Sequence, residues 1–116
     1  MAKVLERDLD ELPCFPLHRE DVHAPGVDSA LVTAAMLADR TRAAILHVLR
    51  HGPRCVCELA AATGESERAV SLQLESLRAA GLVRPSRTRI HEHYTFFERD
   101  ETACAVALDN LRELLG

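Results

Sequence analysis

The apolar residues of this chain change period twice, and few folds accommodate that. From residue 29 to residue 80 they recur at helical spacing: Leu31, Ala34, Ala35 and Ala38, then Ile45, Leu46, Val48 and Leu49, then Val70, Leu74 and Leu77. Two stretches of strand type follow, Leu82-Val83-Arg84 and His91-Glu92-His93-Tyr94-Thr95-Phe96, around a turn at Ser86-Arg87-Thr88-Arg89. From about Glu101 the helical period returns, with Cys104, Leu108, Leu111 and Leu115 on one face. Punctuation agrees with this division. Asp28 or Ser29 is placed to cap a first helix, Asp39 a second that runs to about Arg50 and stops at Gly52-Pro53. A short third helix begins near Cys55 and ends at Thr63-Gly64. Ser66 caps a fourth, which Gly81 stops.

Helix, helix, short helix, turn, helix, hairpin, helix is the order of a winged helix-turn-helix, a mainly α domain with a small β-hairpin. The fourth helix is then the one that reads DNA and the hairpin is the wing. The amphipathic terminal helices carry apolar faces that one chain of 116 residues does not cover, so a symmetric homodimer is expected. Residues 28–116 form this DNA-binding and dimerisation domain. Residues 1–27 read as a flexible N-terminal arm, broken by Pro13, Pro16 and Pro25-Gly26.

Charge divides the same way. Residues 1–28 hold three basic and seven acidic side chains, which accounts for the whole net charge of −4. Residues 66–94 hold Arg68, Arg78, Arg84, Arg87 and Arg89 against Glu67, Glu75 and Glu92. A DNA-binding protein need only be basic locally. No apolar run is long enough to span a bilayer, and the N-terminus MAKVLERDLDELP has no signal-peptide stretch. A cytoplasmic, reducing location is therefore expected, where four cysteines serve as ligands or buried thiols more often than as disulfides. No nucleophile–base pair, phosphate loop or carboxylate pair points to an enzyme.

Double-stranded operator DNA is the expected partner. With Val70, Leu74 and Leu77 turned inward, the fourth helix leaves Arg68, Ser71, Leu72, Gln73, Glu75 and Ser76 facing outward to varying degrees. Gln73 is suited to bidentate contact with adenine, Ser71 to a groove edge, and Arg68 to phosphate or guanine. Arg84, Arg87 and Arg89 on the wing are placed for phosphate. The bland alternative is an ordinary solvated helix and a charged hairpin.

Cys55-Val56-Cys57 is the loudest chemical feature. In mid-helix two such side chains point about 200° apart. At a helix start they can converge, because the first residue need not be helical. That end also favours a thiolate, and Arg54 adds positive charge. An ion held there would distort the start of the third helix and so move the fourth. Zinc and cadmium want more than two ligands. Cys14 and His18 in the arm are the candidates, and a span of up to roughly 45 Å from Cys14 to Asp28 lets the arm reach either protomer's pair. His23 is a weaker candidate. Cys104 reads as a small buried hydrophobe, His91 and His93 as a solvated wing face, and His47 and His51 as ordinary helix-surface residues.

With these residues in place, LADRTRAAILHVL (37–49), RCVCELA (54–60) and SERAVSLQLESLRAAGLV (66–83) resemble the ArsR/SmtB family of metal-sensing repressors over about residues 28–115. One departure is Arg40, where the family usually has proline. The resemblance implies a homodimeric repressor that leaves its operator when an ion binds. Cys-Val-Cys resembles the third-helix cysteine box of arsenic, cadmium and lead sensors. Cys14, with His18, matches the cadmium/lead plan, in which an N-terminal arm completes a Cd/Pb/Zn-type site. A three-sulfur As(III) site of Cys14, Cys55 and Cys57 and a thiol redox sensor stand as alternatives. The last helix has no histidine, so the family's zinc site there is expected to be absent.

Overall fold

The computed structural model describes residues 25–116. Five helices and three short strands follow in the order α1 (Pro25–Leu37), α2 (Arg40–Leu49), β1 (Arg54–Cys55), α3 (Val56–Thr63), α4 (Glu67–Ala79), β2 (Val83–Pro85), β3 (Phe96–Arg99) and α5 (Glu101–Leu115). This is the winged helix-turn-helix that the change of period requires.

Most boundaries are set by local chemistry. Asp39 accepts the Arg42 N–H at 3.0 Å and starts α2; Ser66 accepts the Ala69 N–H at 3.1 Å and starts α4; Asp100 accepts the Ala103 N–H at 3.0 Å and starts α5. The first boundary differs from expectation. Helix α1 begins at Pro25, not after Asp28, so Pro25-Gly26 opens a helix where the sequence reading saw a break. Proline lacks an N–H, but the first turn of a helix has no intrahelical acceptor for one. Asp28 then lies within the first turn, where its charge favours the helix dipole.

The core is a single cluster. Ile45 and Leu49 of α2, Leu59 of α3, and Val70, Leu74 and Leu77 of α4 meet Leu82 and Val83 at the base of the wing. Val70, Leu74 and Leu77 fall on one helical stripe, and burying each is worth about 1.5–3 kcal/mol. This stripe fixes which side of α4 faces outward.

The sheet has three antiparallel strands in the order β1-β3-β2. Two expectations are corrected here. The second wing strand is Phe96–Arg99, not 91–96, and Arg54–Cys55 adds a third strand that the sequence did not announce. Phe96 is the residue of the 91–96 stretch that is buried, whereas 91–95 are all exposed, so the alternation there has no inward face to support it. Register follows from Phe96 opposite Cys55 and from Arg84 opposite Glu98. Residues 86–95 form the wing loop. Ser86 Oγ closes its first turn by accepting the N–H groups of Thr88 and Arg89 at 3.1 and 2.9 Å.

Helix α1 packs along α5, and none of the α5 residues is buried. Cys104 is half-buried against the core, with its thiol 3.7 Å from the Leu82 carbonyl oxygen. Leu108 and Leu115, expected on the same apolar face, are exposed, as are Leu31, Val32, Leu37 and Val106. No helix among the described residues is long and apolar enough to cross a membrane.

The turn between α3 and α4 depends on Gly64, which closes α3 in the left-handed region at φ 74°. A Cβ there would meet nothing within 4 Å, so its cost is backbone strain alone. Gly64→Ala is expected to lower stability by about 1–2 kcal/mol, read as a lower urea midpoint with an unchanged m-value. An unchanged midpoint would refute this account of the turn.

Candidate nucleic-acid interface and thiol site

On α4, Arg68, Ser71, Leu72 and Glu75 are exposed, with Leu72 (56%) near the middle of the face opposite the core stripe. Gln73 lies elsewhere. It sits at the margin of the stripe, half-buried, and its side-chain carbonyl accepts a 2.8 Å hydrogen bond from Arg42 Nη1. One of the two lone pairs of that oxygen is thereby taken and the side chain is tethered to Arg42, so two-bond contact with adenine would have to be made alongside this bond. Arg42 also donates to the carbonyls of Met36 (2.9 Å) and Ala35 (3.1 Å) at the end of α1. One guanidinium thus ties α1 to the candidate reading helix. Sequence reasoning missed Arg42, and its partner 31 positions away left no local signal.

The three wing arginines differ in what holds them. Arg84 is gripped by Glu98 at 3.1 Å and Asp100 at 3.2 Å. Arg89 lies over the Phe96 ring at 3.8 Å and donates to the Pro53 carbonyl at 3.1 Å, with Glu58 Oε1 at 3.4 Å. Arg87 uses its backbone N–H on Glu98, at 3.2 Å, and its side chain is exposed. Of the six residues expected at DNA, Arg68, Ser71 and Arg87 present exposed side chains without a hydrogen-bonding or ionic partner among the described residues. Gln73, Arg84 and Arg89 are engaged within the chain.

The Ser86 hydroxyl, ahead of Arg84 and the Arg87 N–H, holds the Glu98 carboxyl below its usual value against the opposing effect of burial. A carboxylate favoured by the fold contributes stability above its unfolded pKa, and this is lost as pH falls through the lower folded value. Glu98→Gln is therefore expected to reduce the stability lost on acidification from about pH 5 downward, measured as the difference in urea midpoint between neutral and acid solution. An equally steep loss in the variant would refute the assignment.

The thiol pair converges as the helix-start argument requires. Cys55 Sγ and Cys57 Sγ are 3.0 Å apart. Cys55 is buried, extended at φ −87° and ψ 170°, and serves as N-cap of α3; Cys57 is exposed. Glu58 completes a capping box: its carboxylate accepts the Cys55 N–H at 3.2 Å while the Cys55 sulfur faces the Glu58 N–H. The Cys55 N–H, with Arg89 and Arg54 behind it, holds the Glu58 carboxyl below its ordinary value. One expectation is reversed. The helix start was to favour a thiolate, yet burial, and after it the hydrogen bond with Cys57, pushes the Cys55 thiol up. Burial likewise raises Cys104.

Two sulfurs on one side of a helix start suit two positions of a thiophilic ion. Among the described residues no group of three or more His, Cys, Asp or Glu comes together, so an ion at this pair would have to take any further donors of these types from outside them. Cys14 and His18, and the weaker candidate His23, lie outside the described residues. A cleft of about 320 Å³ beside the pair is lined by Glu67, at the start of α4, and by His93, Tyr94 and Thr95 of the wing loop. His91 and His93 are exposed on that loop. His47 and His51 meet only edge to face, with Arg50 donating to His51.

Known proteins agree with this architecture. The profile described as bacterial regulatory protein, arsR family, matches residues 39–84, from the cap of α2 into β2. The transcriptional repressor SmtB homolog of Synechocystis sp. is 42% identical over 59 residues, 51% of this chain, and the match spans 45% of that relative's length. Among solved structures, a "possible transcriptional regulator for arsenical resistance" is 30% identical, with 72% of this chain and 79% of that chain covered and a TM-score of 0.58. NolR from Sinorhizobium fredii is 25% identical, with 87% and 96% covered and a TM-score of 0.65. With its helix-turn-helix, its wing and these relatives in agreement, the chain belongs to the ArsR/SmtB family of transcriptional regulators.

Proposed function

We propose that this protein is a homodimeric repressor that holds operator DNA through α4 and the wing, and releases it when a thiophilic ion is bound at Cys55 and Cys57. The observation that carries the reading is the 3.0 Å approach of the two sulfurs at the start of α3, the first helix of the helix-turn-helix. Cys14 and His18 of the arm complete the coordination of a Cd/Pb/Zn-type ion. With Cys14 alone as the third donor, the same pair suits As(III). The ion supplies a rigid bond between sulfurs; the chain supplies the helix start that must adjust to it. The relative named as a transcriptional repressor supports the reading of this protein as a repressor.

Arg68, Ser71 and Arg87 are the groups most available to DNA, and Gln73 offers its amide N–H groups to an acceptor on a base edge. Arg84 and Arg89 serve chiefly to shape the wing. Dimerisation is supported by the apolar side chains that α1 and α5 leave exposed, among them Leu31, Leu37, Leu108 and Leu115. A symmetric pairing covers such a face with its own copy.

Titration of the reduced protein with Cd(II), followed by thiolate-to-metal charge-transfer absorption, is expected to saturate at one ion per protomer and to give a weaker band in Cys14→Ser. Cys57→Ser is expected to keep DNA binding and lose the response to the ion. Absence of a tight Cd(II) site together with a tight As(III) site would favour the three-sulfur reading; absence of both would remove the ion-sensing reading altogether.

The wing makes a separate prediction. Arg87→Ala is expected to weaken DNA binding evenly across sequences and to reduce the slope of log affinity against log salt by about 1. A changed base preference would mean that Arg87 reads bases.

A further inference from the structure

The thiol pair and the wing are joined by side chains that the ion-release reading does not require. Cys55 stands opposite Phe96 in the sheet. Arg89 leaves the wing loop, crosses the Phe96 ring at 3.8 Å, and reaches back to the Pro53 carbonyl and the Glu58 carboxylate. Glu58 in turn accepts the Cys55 N–H and shares the capping box with the Cys55 sulfur. A continuous line of contacts therefore runs from the Cys55 sulfur through Glu58 and Arg89 to the turn that Ser86 closes.

Ion binding strains one end of this line. Two thiolates on a tetrahedral ion of zinc size, with bonds near 2.3 Å, lie about 3.8 Å apart. The sulfurs start at 3.0 Å, so the pair must spread. Cys57 is exposed on the helix surface, whereas Cys55 is buried and carries the cap. Moving the Cys55 sulfur disturbs the Glu58 N–H it faces, and with it the carboxylate that Arg89 uses.

We infer that Glu58 is a positioning residue that couples the thiol site to the wing through Arg89, so that an ion at Cys55 and Cys57 loosens the wing's hold on DNA. The inference rests on the ion-release reading and assigns it a route: α3 reaches the wing directly, beside any movement passed on to α4. Glu58→Gln separates the two duties of this side chain. Glutamine at the same position still accepts the Cys55 N–H and keeps the capping box, but it has no charge to hold Arg89.

The test uses the full-length reduced protein, Cd(II) as the probe, and a DNA fragment selected from a random pool by the Cd(II)-free protein. Three quantities are compared in wild type, Glu58→Gln and Arg89→Met: Cd(II) affinity from charge-transfer absorption, DNA affinity with and without Cd(II), and the NMR signals of the wing-loop amides. In Glu58→Gln, Cd(II) affinity is expected to stay close to wild type, while the Cd(II)-induced loss of DNA affinity shrinks about twofold to fivefold, the range of a partly exposed ion pair. Arg89→Met, which also loses the Pro53 bond and the ring contact, is expected to shrink it further. Cd(II) is expected to shift the wing amides of wild type more than those of either variant. Equal release and equal shifts in all three proteins would overturn the route while leaving the ion reading intact. A wild type that binds Cd(II) without releasing DNA, or does not bind it, would overturn the ion reading and the route together.

Discussion

Cys55 takes part in three arrangements at once. Its backbone pairs with Phe96 at the end of the sheet, its extended conformation starts α3, and its sulfur meets Cys57. These demands are compatible because a helix cap is the one position where a residue can be a strand's last member and a helix's neighbour. Were Cys55 inside the helix, the two side chains would diverge by about 200°. Were it one residue further back in the strand, the sulfur would turn to the other face of the sheet. The convergence of the pair, the entry angle of α3 and the seating of Phe96 thus share one backbone conformation.

Burial gives this junction its second property. Cys55 is 6% exposed, and the desolvation that raises its thiol opposes the helix start, which favours a thiolate. Under the proposed ion-sensing reading, a soft ion, whose bonds to sulfur are strong, would compete with the thiol proton better than a hard one. The same burial explains why disturbing Cys55 has consequences: its neighbours are the sheet and the capping box, whereas Cys57 faces solvent.

What was legible in the sequence is what short-range chemistry decides. Asp39, Ser66 and Gly64 announced helix ends because caps act within three residues, and the stripe Val70, Leu74, Leu77 announced the inward side of α4 because its period is local. The convergence of Cys55 and Cys57 was legible for the same reason. The failures are long-range. Strand β1 is two residues long and exists only because β3 lies beside it. Alternation placed the second wing strand at 91–96, but only Phe96 of that stretch finds a core to enter. Gln73 looked outward until Arg42, held at the end of α1, turned its carbonyl aside. The rise of the Cys55 thiol was invisible because burial belongs to the tertiary structure. Arg84 and Arg89 were read as free cations, yet their carboxylate partners lie 14 and 31 positions away.

These long-range contacts change what the arginines of the wing are for. A guanidinium between two carboxylates, as at Arg84, gives little of its charge to DNA, and its loss would be felt first in the shape of the hairpin. Arg87 has no such partner among the described residues, and the proposed function assigns its charge to the phosphates. A domain without net positive charge can still bind a polyanion if some of its basic residues hold the wing and others are left free at its edge. Arg42 applies the same logic to α4: it joins the flank of that helix, at Gln73, to the end of α1, whose Leu31, Val32 and Leu37 are exposed. In the proposed dimer, the spacing of two reading helices would follow from how α1 and α5 pair, and the proposed ion site would not have to touch that interface to weaken binding. It would need only to alter the wing and the start of α3, which pack with α4 on one core.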